Sequence, residues 1–248
     1  MGLDTAAMVA AIERHSGELA EVAASDLHAP VVHCPGWDVA DLLRHLLEVH
    51  WFWATIVEGH LQSPPEESER PPFPPEGELA DAVRRRAAHL VEALAGADQQ
   101  AGCWTWSPLQ RDVAFVTRHQ VQEAAVHHFD AALSVGQRIE IGEEVALDAL
   151  EEFLTFSVSS EQDPAEPPRQ PLRGSFDLAC NDSGVVFHLS DGAVPGTVRS
   201  ERREAASAPA IRASASDLLL FCYGRVEPDT SAVDPGLLER FRNLCFTD

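Results

Sequence analysis

The sequence predicts an antiparallel helical bundle over residues 1–160, followed by a smaller α+β domain over residues 161–248. Three observations predict it. Apolar residues recur at helical spacing in four or five stretches before residue 160. A polar, proline-rich run, SSEQDPAEPPRQP, then breaks the pattern. Beyond it, two short runs alternate apolar and polar residues around a turn signal.

From residue 4 to about 25, Met8, Ile12, Leu19 and Val22 mark one face of a first helix. The loop LHAPVVHCPGW follows. Asp38 then offers an N-cap with Asp41 three residues on, and VADLLRHLLEVHWFWATIVEG runs as a strongly apolar second helix to a stop at Gly59. The next segment, SPPEESERPPFPPEGE, holds six prolines and five glutamates. Proline removes a backbone donor and fixes φ, so this is a long surface connection. Helical patterns resume over residues 79–99 and 112–135, with a shorter one from 143 to about 159. GSFDLAC and GVVFHLS, joined by NDSG, read as a β-hairpin; ASASDLLLFCYGR and DPGLLERFRNL return to helix.

The formal charge is −22, and all 18 basic residues are arginine. A chain without lysine has no Schiff-base lysine, no internal pyridoxal-phosphate lysine and no Walker A loop. The acidic balance repels phosphate backbones and anionic lipid, so nucleic acid and membrane surfaces are set aside and small molecules are the expected partners. Five scattered cysteines (Cys34, Cys103, Cys180, Cys222, Cys245), with no C-x-x-C, read as the reduced thiols of a cytoplasmic protein. The first twenty residues have neither the basic nor the apolar region of a leader, and no run approaches the ~20 apolar residues of a membrane span. The pattern is silent on oligomeric state.

On the second helix Leu42, His45, Leu46, Val49 and Trp53 form one stripe; on the fourth, Val116, Gln120, Glu123, His127 and Asp130 or Ala131 line one side. Glu123 and His127 lie one turn apart and point the same way. Two histidines and a glutamate are what a catalytic zinc or similar divalent ion uses when a fourth position stays open. The spacing alone also fits a solvated Glu–His pair plus one satisfied core histidine. His119, a turn before Glu123, is a candidate fourth ligand or pocket wall, whereas His50 and His128 fall off the two ligand faces. Asp130 is spaced either to orient the His127 ring or to sit exposed. Cys34, beside His33 and ahead of a helix N-terminus, reads as a loop cysteine rather than a nucleophile, and Trp37 as a packing residue beside the turn at Gly36.

The runs HCPGWDVADLLRHL, QEAAVHHFDAAL and ASASDLLLFCYGR, in that order over nearly the whole chain, resemble the mycothiol-dependent maleylpyruvate isomerase family. The resemblance implies a DinB-like antiparallel four-helix metal-binding bundle and a C-terminal α+β domain similar to sterol-carrier folds. It places metal ligands at His45, Glu123 and His127. It associates the arginine of the Gly224-Arg225 pair with the active site, as a catalytic and cofactor-binding residue. The function it implies is an isomerase or S-transferase that uses zinc, or another divalent ion, and a low-molecular-weight thiol, mycothiol, on a small electrophile. Two other classes stay open: a metal or small-ligand binder without turnover, and a metal hydrolase that needs no thiol.

Overall fold

The computed structural model describes residues 2–158 and 169–245. The chain divides into two compact units between Ile141 and Gly142.

In the first unit, α1 (Thr5–Ala23), α2 (Val39–Gly59), α3 (Leu79–Gly96) and α4 (Val113–Ser134) pack pairwise, α1 and α2 each lying against both α3 and α4. The helix starts are written locally. Asp4 accepts from the Ala7 N–H at 2.8 Å, and Asp112 from the Phe115 N–H at 3.0 Å. Asp38 and Asp41 form a reciprocal capping box at 2.9 and 3.2 Å, which fixes where α2 begins and hence which of its residues face inward. Leu42, Leu43 and Leu46 are then fully buried, each worth about 1.5–3 kcal/mol of transfer free energy. The helix ends at Gly59, where the sequence places its stop, and His60 caps it in the left-handed region at φ 45°. The proline-rich connection forms only two single 3-10 turns, Glu67–Glu69 and Glu76–Glu78.

The second unit holds α5 (Glu143–Phe156), β1 (Ser175–Cys180), β2 (Val186–Asp191), β3 (Val198–Arg203), β4 (Ala210–Ala213), α6 (Ala215–Cys222) and α7 (Pro235–Arg242). Its mixed sheet runs β3-β2-β1-β4, antiparallel except for the parallel β1–β4 pair. Phe176, Leu178, Phe187, Leu189 and Ile211 are buried, and Phe176 meets Phe241 of α7 edge-on at 5.2 Å.

The sequence expectation of a boundary at 160 falls on undescribed residues, as does most of the proline-rich run that suggested it. The division at 141 moves α5 out of the bundle. Its apolar face packs on α6 and β3, with Phe153 against Tyr223 at 4.8 Å. An amphipathic pattern says that a face is buried, not against what.

Candidate metal centre

Helix α4 is buried around most of its circumference, yet Thr117, His119, Gln120, Gln122, His127, His128 and Asp130 are among its buried residues. Buried polar groups need partners. Gln120 finds one on α2 and His128 one on α1, while Gln122 pairs with His119 and His127 with Asp130 along α4 itself.

Glu123 projects from α4 toward α2, where its Oε1 lies 2.9 Å from His45 Nε2; the same oxygen is 3.3 Å from His127 Nε2, one turn on. One ligand atom from each of His45, Glu123 and His127 lies within 4.8 Å of the other two. The imidazoles of His45 and His127 stand edge to face at 5.0 Å. Glu123 and His127 are mostly shielded, while the His45 side chain keeps 30% of its surface exposed, so the group has an open side. The ring of Trp37 borders it, 5.2 Å from that of His45.

The far nitrogen of His127 is anchored. Its Nδ1 donates to Oδ2 of the fully buried Asp130 at 3.1 Å, which orients the ring and turns Nε2 toward Glu123. Burial alone would lower the His127 pKa, but the Glu123 charge and the bonds to Asp130 and Glu123 outweigh it and raise it to about 9. Burial likewise works against the Glu123 carboxylate, and the two histidines more than compensate, holding it well below the usual range.

The other candidates lie elsewhere. His50 is fully buried behind the group, bonded to Ser16 Oγ at 3.1 Å and Gln120 Oε1 at 3.3 Å. Burial, helped by the charges of His45 and Arg86 and opposed by Gln120 and Glu123, lowers its pKa to about 4. His119 belongs to an aromatic cluster, stacked on Phe115 at 5.5 Å with its nitrogens near Gln122 and the Trp106 N–H. His128 faces α1, where its Nδ1 is 3.1 Å from His15 Nδ1 and 3.5 Å from Glu18. Cys34 lies with His127 and Asp130, ligand atoms again within 4.8 Å. In the second unit Gly224, at φ 70°, and Arg225 close the C-terminus of α6, and the Arg225 guanidinium bonds back to the Tyr223 carbonyl at 2.8 Å. The sequence reading missed His15, which sits on the Ile12–Leu19 face of α1, and the contact of Trp37 with His45.

The His45, Glu123 and His127 donors fit a divalent ion: two imidazole nitrogens and a carboxylate oxygen already converge, and the second nitrogen of His127 is taken by a carboxylate. Residues 8–132 match the family described as the mycothiol maleylpyruvate isomerase N-terminal domain. No curated protein and no solved structure matches the chain. No helix among the described residues is long and apolar enough to cross a membrane. The matched segment covers half of the chain and contains all three converging side chains, and the chain belongs to that family.

Proposed function

We propose that the protein is a metal-dependent enzyme, using a low-molecular-weight thiol to transfer to or isomerise a small electrophile. The N-terminal unit on this reading is a DinB-like antiparallel four-helix bundle and the second unit a sterol-carrier-like fold, which the pairwise packing of α1–α4 and the four-stranded mixed sheet support. One observation carries it: Glu123 Oε1 stands between His45 Nε2 and His127 Nε2, at 2.9 and 3.3 Å, inside the family segment.

His45, Glu123 and His127 would hold zinc or another divalent ion. Such an ion supplies Lewis acidity, lowering the pKa of a coordinated mycothiol-type thiol so that a sulfur nucleophile is present near neutral pH. The chain's own residues set the conditions for that. Asp130 holds one His127 proton on Nδ1, so that Nε2 is the nitrogen that would give up its proton to form a ligand bond. Glu123 contributes the negative charge that balances part of a dication. Trp37 and the buried leucines of α2 exclude water from one side, which strengthens every charge interaction at the centre.

Arg225 takes the catalytic and cofactor-binding role on this reading, because a planar guanidinium grips an anionic group through paired hydrogen bonds in a chain otherwise strongly acidic. Metal analysis of the purified protein, with thermal-shift and turnover assays across several thiols, tests the whole. Metal-loaded protein stabilised by a thiol and reactive only in its presence is expected. Hydrolysis without thiol, or thiol-insensitive protein, would point to the other classes. Arg225→Lys and Arg225→Ala should keep metal and fold yet lose turnover by roughly 2–5 kcal/mol in transition-state terms; unchanged thiol-dependent kinetics in Arg225→Ala would remove it from the site.

A further inference from the structure

The open side of the candidate metal centre gives onto a cavity of about 390 Å³ lined by Trp37, Asp41, Arg44, His45, Glu48 and Phe73. All but Phe73 belong to α2 or to the loop ahead of it. Phe73 comes from the proline-rich connection, at the middle of the strap RPPFPPE over residues 70–76. That strap is tied at both ends to α2. Three residues before Phe73, Arg70 pairs with Glu48 and lies over the Phe73 ring at 5.4 Å. Three residues after it, Glu76 meets Arg44 at 3.5 Å and His28, of the loop before α2, at 3.2 Å. Arg44 and Glu48 stand on either side of His45 in the helix and line the same cavity, so the two ties bracket the approach to His45.

The fastening is polar and shallow. Phe73 keeps 40% of its surface exposed, and a separate cavity of about 250 Å³ lies between the strap and the α2 and α3 side chains Leu47, Trp51 and Ala82. A segment with that much space beneath it is not packed down as the core is. The ties themselves are exposed: Arg70 and Glu48 keep 28% and 42% of their side-chain surface, Arg44 and Glu76 32% and 44%. Ion pairs of this kind are individually weak and are screened by salt. Between them, Pro71, Pro72, Pro74 and Pro75 fix φ and remove backbone donors. The strap is therefore stiff, and when its ends part it moves as one piece.

We propose that the strap of residues 70–76 is a gate over the open side of the centre, latched by Arg70 on Glu48 and by Glu76 on Arg44 and His28. Latched, it holds Phe73 across the approach to His45 and, with Trp37, closes an apolar wall that keeps water from the centre. Unlatched, it clears that approach. A polar guest in the cavity competes with the strap for Arg44 and Glu48, which couples entry to unlatching. The inference rests on the proposed function only for what passes the gate, a thiol and its electrophile.

The test is the rate at which diethyl pyrocarbonate acylates His45 in the metal-stripped full chain, read by peptide mass mapping against the exposed His60 as reference and the buried His50 as reporter of the bundle. Arg70→Gln and Glu76→Gln should each speed His45 by about two- to fivefold, the size of one surface ion pair, and the double variant by about tenfold. Phe73→Ala should speed it with both ties intact. Arg84→Gln, whose pair with Asp81 lies off the strap, should change nothing. Raising salt to about 0.5 M should bring wild type toward the double variant, an arm that needs no substitution. In metal-loaded protein the double variant should release its ion to a chelator faster at unchanged equilibrium affinity, which a misplaced ligand would not do. The gate is overturned by His45 rates that ignore the ties, by a wild type insensitive to salt, by His50 rising in step with His45, or by changed affinity at an unchanged release rate. Protein that holds no metal yet shows tie-dependent acylation would instead sink the functional reading and leave the gate standing.

Discussion

His127 and His128 are neighbours on α4, and each meets another histidine and a glutamate, but their surroundings pull them in opposite directions. On the α2 side, His127 has a shielded glutamate at one nitrogen and a fully buried aspartate at the other, and its pKa rises to about 9. On the α1 side, His128 faces His15 and a glutamate whose side chain is 48% exposed. Burial, with the nearby Arg14 charge, lowers His128 to about 4 and His15 to about 3. Both groups offer two imidazoles and a carboxylate within 4.8 Å. The composition is the same; the difference is a desolvated carboxylate and an anchored second nitrogen on the α2 side, and a cation against the ligand set on the α1 side. Arg14 reaches His15 Nε2 at 3.2 Å, where a bound metal would meet a positive charge.

The largest effect expected of that difference is in metal content. The purified protein should carry close to one equivalent of divalent metal, and His45→Ala, Glu123→Ala and His127→Ala should each lose it with the helices intact, whereas His15→Ala, His50→Ala and His128→Ala keep it. Elemental analysis with circular dichroism reads both. Metal surviving in any two of the first three variants would sink the ligand set, and two equivalents falling to one in His128→Ala would erase the contrast between the two sides of α4.

The next effect is in pH. A ligand nitrogen must be unprotonated, and in the metal-free protein His127 keeps its proton up to about pH 9. Apparent metal affinity should therefore rise with pH, by about a hundredfold between pH 6.5 and 8.5 in competition with a chelator corrected for its own protons. A flat profile would mean that Glu123 does not hold a charged His127. The α1 side has the other sign. His15, His50 and His128 all titrate below the usual imidazole value, so their stabilisation is complete above pH 6.5 and is lost as pH falls through about 4 and 3. With three protons taken up on unfolding, metal-free protein should lose up to about 4 kcal/mol per pH unit just below pH 6 in urea titrations.

The two regions also differ in how much of them the sequence discloses. Helices α2 and α4 announce themselves through Asp38, Asp41 and Asp112, and the Glu123–His127 spacing fixes a shared direction before any packing is known. The 2.9 Å approach of His45 to Glu123 depends on how α2 lies against α4, which no local pattern encodes. His15 did leave a signal, since it falls on the buried face of α1, but a lone histidine on an apolar stripe does not name its partner. In the second unit, β3 reads VRSERR, with Val198 its sole apolar residue, and β4 is four residues long. An edge strand needs no alternating face, so neither is legible without the register that pairs them to β2 and β1. Arg86 looks like one of three consecutive surface arginines until the proline strap is folded beside it.

A smaller effect should come from Asp130, which touches only the far side of the His127 ring. Asp130→Asn removes the acceptor charge but not the shape, and metal affinity should drop by about 10- to 100-fold, as for other carboxylates behind a ligating histidine. The variant should still load at saturating metal. If its affinity matched wild type, the anchoring of Nδ1 would not be what separates His127 from His128.

The smallest effect expected is at Cys34, and it sharpens the contrast because Cys34 shares His127 with the candidate centre. Its sulfur lies within 4.8 Å of a His127 nitrogen and an Asp130 oxygen, a second grouping of metal-binding type around the same ring. The loop that carries it is fixed by its own backbone: Val31 N–H to the Trp37 carbonyl at 3.0 Å, Cys34 N–H to that of Val31 at 3.1 Å, and Trp37 N–H to that of Cys34 at 3.0 Å. Both nitrogens of His127 are engaged, Nδ1 donating to Asp130 at 3.1 Å and Nε2 facing Glu123 at 3.3 Å, so Cys34 joins it in a ligand set only by displacing one of them. One imidazole cannot serve both sides without giving up the contact that raises its pKa. Cys34→Ser should therefore keep its metal and most of its thiol-dependent turnover, losing below about 1 kcal/mol of stability from packing. Loss of metal in this variant would move the centre to the Asp130 side of the ring. Loss of turnover with metal and fold intact would make Cys34 itself the nucleophile, and the need for a thiol cofactor would go with it.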